Sequence, residues 1–434
     1  MSKETAVVIC NWNKKTDLML CIHSVFRSNY TNFDVIVVDN ASTDGSVEAI
    51  EELAYPIHII ELADNIGGAG GFNAGIEKAL EGAYEYIVLL DNDVIVDSIA
   101  INNMINIMKD NSNIGLLGAK IIASGTENIL QEFGSYIDWD QFNIRPMNKG
   151  SLDTQDLPLL LECDYVPACA LIARASAVRK VGLMDSQYFI YWDDIEWGYR
   201  MKQSGYKVMV TSKAKVWHKM GATERKTTFA TYYFWRNRFH FFLEYIEQSQ
   251  LDQFIDCIFN DLHKAIYFSK HNYRWSVIKS LVYAFEDALV GIRGKAQCDR
   301  IFEIEGITDR LAEWMDQSSP GNVIIKNYGS NKSVYQKVIS RLTETGKYQV
   351  EETEPINHND NYHICISDHI LDIGQEILNY KYDLFIDSFN NIAHTEADRI
   401  YFMNYLQSLE SSREWMFEYI ERRVMQLNRG QYIR

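Results

Sequence analysis

Leu89-Leu90-Asp91-Asn92-Asp93-Val94 is the stretch on which the fold turns. It closes the unbroken apolar run 86–90, which has the length of a strand, with two carboxylates one residue apart. Alternate residues of an extended chain point the same way. Asp91 and Asp93 therefore suit one hard cation, Mg²⁺ or Mn²⁺, that keeps positions open for phosphate oxygens. Asp-Asn-Asp is equally good turn chemistry, so its meaning depends on what surrounds it.

Upstream lie three more apolar runs, 6–10, 35–38 and 57–62, with amphipathic stretches 18–27, 47–53 and 72–80 between them. Unbroken apolar strands alternating with helices predict a parallel sheet covered on both faces. Such sheets bind ligands beyond the carboxyl ends of their strands, and Asp39 and Asp91 both stand at such ends. In Val37-Val38-Asp39-Asn40-Ala41-Ser42-Thr43-Asp44-Gly45-Ser46, Asp39 is placed to accept hydrogen bonds from a nucleobase or ribose. Ser42, Thr43 and Asp44 suit a helix cap. Asn65-Ile66-Gly67-Gly68-Ala69-Gly70-Gly71-Phe72-Asn73-Ala74-Gly75 departs from GxGxxG spacing. It reads either as backbone that approaches a phosphate or sugar closely or as a flexible loop.

Downstream, 116–122 and 169–173 read as strands around a Gly/Asn/Asp-rich stretch, 134–156. A helix is predicted over 193–205 and short strands over 207–210 and 215–217. Asp193 and Asp194 begin that helix, where its dipole stabilises them, and Glu196 and Arg200 are spaced to pair. With Tyr191, Trp192 and Trp197 around them, the two carboxylates also suit a sugar platform with a general base. His218, in Val216-Trp217-His218, leaves a strand toward the cleft of Asp91 and Asp93. From residue 231, aromatic and aliphatic residues at helical spacing predict helices over 232–246, 254–269 and 275–291. Ser318-Ser319-Pro320-Gly321 is the clearest linker. Strands 323–326, 348–352, 362–366 and 384–387, helices 333–343 and 370–378, and a charged tail 395–429 follow. The expected division is 1–245, a helical region 246–317, and a small α/β domain 318–434.

The 434 residues carry a net charge of -17, which argues against broad nucleic-acid binding. Seven cysteines without a CxxC pair fit a reducing compartment. The opening MSKETAVVICNWN has no apolar run after a basic patch, and no window approaches the ~20 apolar residues of a spanning helix. A cytoplasmic protein is expected. Peripheral contact with the inner face of the plasma membrane and homo-oligomerisation stay open.

Taken in order, Cys10-Asn11-Trp12-Asn13, Asp39, the glycine-rich segment, Asp91-Asn92-Asp93, Trp192-Asp193-Asp194 and His218 resemble the inverting glycosyltransferases of the GT-A fold, family 2. Tyr232-Tyr233-Phe234-Trp235-Arg236-Asn237 is similar to the Tyr/Arg-Asn helix that often follows that domain. The resemblance covers about residues 5–245. Trp192-Asp193-Asp194 with Trp217-His218 is similar to bacterial galactofuranosyltransferases of the mycobacterial type. Rhamnosyltransferases more often show Glu-Asp at the Asp193-Asp194 position.

The resemblance implies that Asp91, Asp93 and His218 ligate Mn²⁺ or Mg²⁺ and that Asp194 is the base. It implies that Asp193 and Trp192, with Tyr191 and Trp197, shape the acceptor site. Asp39 and the backbone near Cys10 and Trp12 would hold the uridine, with Gly70, Asn73 and Asn92 on the donor side. Cys10 stands where a Thr or Ser is common, which leaves only a backbone contact there. The donor implied is UDP-galactofuranose, and the acceptor a hydroxyl of a cell-surface polysaccharide or lipid-linked glycan. The alternatives are a rhamnosyl or other hexosyl transferase, or a non-catalytic sugar- or nucleotide-binding scaffold. A nucleotidyltransferase fits less well, because Asn11-Trp12-Asn13-Lys14-Lys15-Thr16 is not a glycine-rich basic loop.

Overall fold

The computed structural model describes residues 3–126, 128–154, 156–219, 226–306, 309–329, 332–351, 361–378, 382–389 and 391–431. The chain forms two compact units. The first holds residues 1–254 and 283–301, the second 255–282 and 302–433. This differs from a division at 245 and 317: the stretch 246–317 is shared between the units.

The first unit opens as β1 (Thr5–Asn11), α1 (Lys15–Phe26), β2 (Phe33–Asp39), α2 (Ser46–Glu51), β3 (Ile57–Glu61), α3 (Gly67–Glu81) and β4 (Tyr86–Asp91). It continues through β5 (Val94–Val96), α4 (Ala100–Asp110), β6 (Ile114–Ala123), β7 (Leu130–Glu132), β8 (Ser135–Asp138), β9 (Asn143–Pro146) and β10 (Leu160–Cys163). Then come β11 (Ala170–Arg174), α5 (Ala175–Val181), α6 (Asp193–Gln203), β12 (Lys207–His218) and α7 (Phe229–Tyr245). The helices α8 (Leu251–His271) and α9 (Trp275–Leu289) follow.

The main sheet runs β10-β12-β6-β11-β4-β1-β2-β3. β4, β1, β2 and β3 are mutually parallel, and β11 is antiparallel to both β4 and β6. The apolar runs are unbroken because both faces are covered. Val7, Ile9, Val35, Val37, Val88 and Leu90 pack toward α1 and α4. The alternate residues Ala6, Val8, Ile36, Val38, Ile87 and Leu89 pack toward α3 and α6. The segments expected as two strands, 207–210 and 215–217, are one strand, β12, irregular between Thr211 and Lys215.

The glycine-rich segment is a correction: it is the first turns of α3 rather than a flexible loop. A Cβ on Gly75 would lie 2.2 Å from Val8 Cγ1, and one on Gly71 2.4 Å from Cys10 Sγ. These glycines let the helix lie close on β1. Gly75→Ala is expected to destabilise by about 1–3 kcal/mol through overpacking, although Ala is the better helix former by about 1 kcal/mol. Urea unfolding reads this, and an unchanged or higher midpoint would refute the packing account.

The second unit adds α10 (Arg310–Gln317), β13 (Gly321–Asn327), α11 (Lys332–Glu344), β14 (Tyr348–Glu351) and β15 (Asn361–Ser367). β16 (Leu384–Asp387), β17 (Ile392–Ala393), α12 (Glu396–Met403) and α13 (Tyr405–Gln431) complete it. Its sheet runs β14-β13-β15-β16-β17, parallel except for β17. The expected helix over 370–378 is 3-10 instead, interrupted where Gly374 adopts φ 56° and ψ -133°. Among the described residues, no helix is long and apolar enough to cross a membrane.

Candidate functional site

The carboxyl ends of β1, β2 and β4 lie side by side, with Asn11 opposite Asp39 and Cys10 opposite Asp91. Asn11, fully buried, joins the three strand ends. Its Nδ2 donates to Asp39 Oδ1 at 3.0 Å and to Ser42 Oγ at 3.2 Å, and its Oδ1 accepts from Asn92 Nδ2 at 2.8 Å. The Ser42 amide donates to Asp39 Oδ2 at 2.8 Å. Asp39 is thus fixed at the strand end; Trp12, the residue after Asn11, is 48% exposed. The Cys10 side chain is aimed at α3, and burial raises its thiol pKa well above the ordinary range.

β12 brings His218 back to β5, where it registers with Val94. His218 Nε2 lies 3.1 Å from Asp93 Oδ1 and 3.9 Å from Asp91 Oδ2. Ligand atoms of Asp91, Cys169 and His218 also fall within 4.8 Å of one another. Burial raises the Asp91 pKa to about 6, against the opposing pull of His218. Burial works against the His218 imidazolium, yet the hydrogen bond to Asp93 and the charges of Asp91 and Asp93 hold its pKa above the ordinary value. Buried Cys169 has its thiol pKa pushed well up, by burial and then by Asp91 and Asp194. Carboxylate and imidazole ligands suit a hard or borderline divalent cation better than a thiol does, and Asp91, Asp93 and His218 offer them here.

On the other side of His218, Gln131 Nε2 sits 2.7 Å from Nδ1, while Gln131 Oε1 is buried without a partner. A half-turn of the amide would place Oε1 on an Nδ1–H; Nε2 donates to Asp93 in the imidazolium and, in the neutral ring, would turn its lone pair to a cation, the orienting arrangement of metal-binding histidines.

Asp193 and Asp194 begin α6 after a backbone turn in which Phe189, Tyr191 and Trp192 have φ of 65°, 63° and 73°. Three left-handed residues other than glycine in four positions represent stored strain. Asn237 of α7 holds the turn: its Nδ2 faces the carbonyls of Tyr188, Ile190 and Tyr191 at 2.7, 2.9 and 3.0 Å. Gly67, at φ 85°, has no Cβ to meet the Phe189 carbonyl, which would lie 2.1 Å away.

Asp194 accepts from the amides of Ile195 at 2.9 Å and Ala168 at 3.3 Å. The next carbonyl, that of Cys169, accepts from the Asp91 amide at 3.0 Å. One short backbone segment thus links the carboxylate pair to the metal-ligand group. Burial raises the pKa of Asp194 to about 6. Burial and then the neighbouring Asp194 charge raise that of Asp193 to about 8. Glu132, hydrogen-bonded to Ser135, is a third buried acid, raised to about 7 by burial with a contribution from Asp194.

Four expected site residues have other work. Trp192 is 1% exposed, its ring among Phe234, Phe241 and Phe242. Trp197 is fully buried and donates from Nε1 to the Gly182 carbonyl at 2.9 Å. Neither offers a face to a sugar. Asn73 is engaged in both directions by the Met184 backbone, at 2.8 and 3.1 Å. Gly70 packs against the Ile66 side chain inside α3. Tyr191, 38% exposed, keeps an accessible ring. Glu196 and Arg200 do pair, and Tyr245 also donates to Glu196 at 2.7 Å. Asn11 and Asn237 lie in segments that the sequence marks, without a role of their own there, and Gln131 and Glu132 lie outside every marked segment.

The poly-β-1,6-N-acetyl-D-glucosamine synthase of Staphylococcus epidermidis is 29% identical over 106 residues, 24% of this chain and 25% of that one. Its counterpart from Staphylococcus aureus strain COL is 22% identical over 226 residues, 49% of each chain. The matches thus span at most about half the length of these relatives. Among solved structures, mannosyltransferase PcManGT from Pyrobaculum calidifontis, in complex with GDP-Man and Mn²⁺, is 12% identical. It covers 67% of this chain and 76% of its own at a TM-score of 0.43. Residues 6–179 match the description "Glycosyl transferase family 2". That segment holds Asp39, Asp91 and Asp93 with the strands that place them, and residues 6–179 are a glycosyl transferase family 2 domain.

Proposed function

We propose that the protein is a metal-dependent inverting glycosyltransferase that moves a sugar from a UDP-sugar to a hydroxyl of a growing polysaccharide or lipid-linked glycan. The observation that carries this reading is the backbone link between Asp194 and the Asp91–Asp93–His218 group, through Ala168 and Cys169. It sets a buried base beside a cluster that suits a cation on donor phosphates.

Asp91, Asp93 and His218 would hold Mn²⁺ or Mg²⁺, with Gln131 orienting the imidazole. Such an ion offsets charge on a departing nucleoside diphosphate. Asp39, held by Asn11 and Ser42, accepts hydrogen bonds from the donor's uridine, and Trp12 offers it a flat face. Asp194 removes the proton of the attacking hydroxyl, which approaches the anomeric carbon opposite the leaving group, so one displacement inverts its configuration. Asp193, held protonated near neutrality by burial and its neighbour, donates a hydrogen bond to the acceptor. Tyr191 supplies an exposed ring beside it.

For the sugar, Trp192-Asp193-Asp194 with Trp217-His218 favours galactofuranose. The poly-N-acetylglucosamine synthases among the relatives favour N-acetylglucosamine as the second reading. A donor panel decides between them: UDP release from UDP-galactofuranose, UDP-N-acetylglucosamine, UDP-glucose and UDP-galactopyranose, and dTDP release from dTDP-rhamnose, each with and without Mn²⁺. Metal-dependent turnover of one donor names the sugar. Silence across the panel, with no thermal shift from any nucleotide, would return the chain to the scaffold reading. Asp91→Ala and Asp93→Ala are each expected to abolish the Mn²⁺-dependent part of UDP affinity in a calorimetric titration. UDP binding equally well with and without Mn²⁺ in the unaltered protein would refute the metal assignment.

A further inference from the structure

The second unit encloses a cavity of about 360 Å³, at the small end of the range for small-molecule sites. Its lining is partly apolar, including Val338 of α11 and Ile386 of β16. The charged part has four cations, Arg274, Arg310, Lys337 and Arg341, and a single acid, Asp309.

Two of those cations are already neutralised. Arg341 makes a two-pronged pair with Asp309 at 3.0 and 2.6 Å. Arg310 pairs with Asp398 at 2.6 Å. Arg274 and Lys337 have no side-chain hydrogen bond or ion pair among the described residues, and Arg274 Nε is buried without a partner. Burying part of a guanidinium without an acceptor is costly, and burial does lower the Arg274 pKa. An anion in the cavity would restore the balance. Its group would be held by the Arg274 fork and the Lys337 ammonium, and its apolar body would lie on Val338 and Ile386.

We propose that this cavity is a binding site for a small organic anion, a phosphate group carried on an apolar or ring-shaped body, separate from the donor site of the first unit. Nothing in this assignment depends on the transferase reading.

The test is calorimetric titration of the full chain with phenyl phosphate, in EDTA so that no divalent ion contributes. Benzoate serves as the carboxylate counterpart and phenol as the uncharged one. Expected are saturable one-to-one binding of phenyl phosphate, weaker binding of benzoate and none of phenol. Arg274→Gln and Lys337→Gln should each weaken phenyl phosphate by about tenfold, the scale of one lost charge-assisted hydrogen bond. Asp91→Ala, in the first unit, should leave it unchanged. If Arg274→Gln perturbs folding by circular dichroism, Lys337→Gln, on the exposed side of α11, carries the test alone. Absence of saturable binding, phenol binding as tightly as phenyl phosphate, or full affinity in a folded Lys337→Gln protein would overturn the proposal. Tighter binding of benzoate than of phenyl phosphate would overturn the phosphate assignment.

Discussion

Asp194→Asn is expected to lower turnover by about 10²–10⁴-fold, the usual contribution of a general base, while UDP binding in the presence of Mn²⁺ is retained. The shape of Asn is close to that of Asp, and its oxygen can keep the shorter bond from the Ile195 amide to Oδ1, while the longer one from the Ala168 amide to Oδ2 is lost. Asp39 and its partners Asn11 and Ser42 are untouched, and the Asp91 amide keeps its bond to the Cys169 carbonyl. Single-turnover sugar transfer and UDP titration separate the two effects, and near-full turnover in the variant would refute the assignment.

The same residue fixes a pH dependence. Burial raises the Asp194 pKa from 3.8 to about 6, so the base ionises, and kcat/KM rises, as pH passes upward through about 6. The linked effect on stability has a definite sign. The folded state holds the proton more tightly than the unfolded state does, so folding loses stability as pH rises from about 4 through about 6. Asn carries no such penalty. The Tm of Asp194→Asn, measured without metal, should therefore gain on that of the unaltered protein as pH rises through this window. A constant difference would mean that Asp194 ionises in the fold as it does in water.

How far the residues alone disclosed this site depends on where each side chain's partners lie. The strands that end at Asp39 and Asp91 were legible because burial on both faces leaves an unbroken apolar run, a property of the segment itself. The acidic start of α6 was legible for the same local reason. The glycines of 67–75 were not. A glycine marks close approach, and the approaching body is set by tertiary packing: Val8, Cys10 and the Phe189 carbonyl stand where a phosphate was expected. Trp192 and Trp197 went the same way, since a large ring is as good a core residue as a platform. Gln131 and Glu132 lie in a stretch whose irregular strands give no periodic signal, and only the return of β12 brings His218 to the first of them.

Asn237→Ala is the second large effect expected. Asn237 belongs to a segment that the sequence does mark, but its partners lie 46 to 49 residues upstream. Its amide nitrogen is the donor that gathers the carbonyls of Tyr188, Ile190 and Tyr191, and Arg236 Nε donates to its oxygen at 3.0 Å. Removing it leaves carbonyls without that donor, at roughly 1–3 kcal/mol for each left unsatisfied. It also frees a turn whose left-handed residues cost of order 1–3 kcal/mol each. The turn relaxes, and Asp193 and Asp194, which it aims, move with it. Displacement by about 1 Å at a reacting group costs on the order of 10²-fold, so turnover should fall by about that factor. UDP affinity should hold, because Asn11, Asp39 and β1–β4 are untouched, and the Tm should drop. Asn237→Asp should do no better than Ala: a carboxylate keeps the shape, but it cannot donate to the carbonyls and it adds a buried charge. A folded Asn237→Asp protein with ordinary turnover would show that the turn holds the carboxylate pair without this donor. Loss of UDP binding together with turnover would mean that Asn237 supports the domain as a whole.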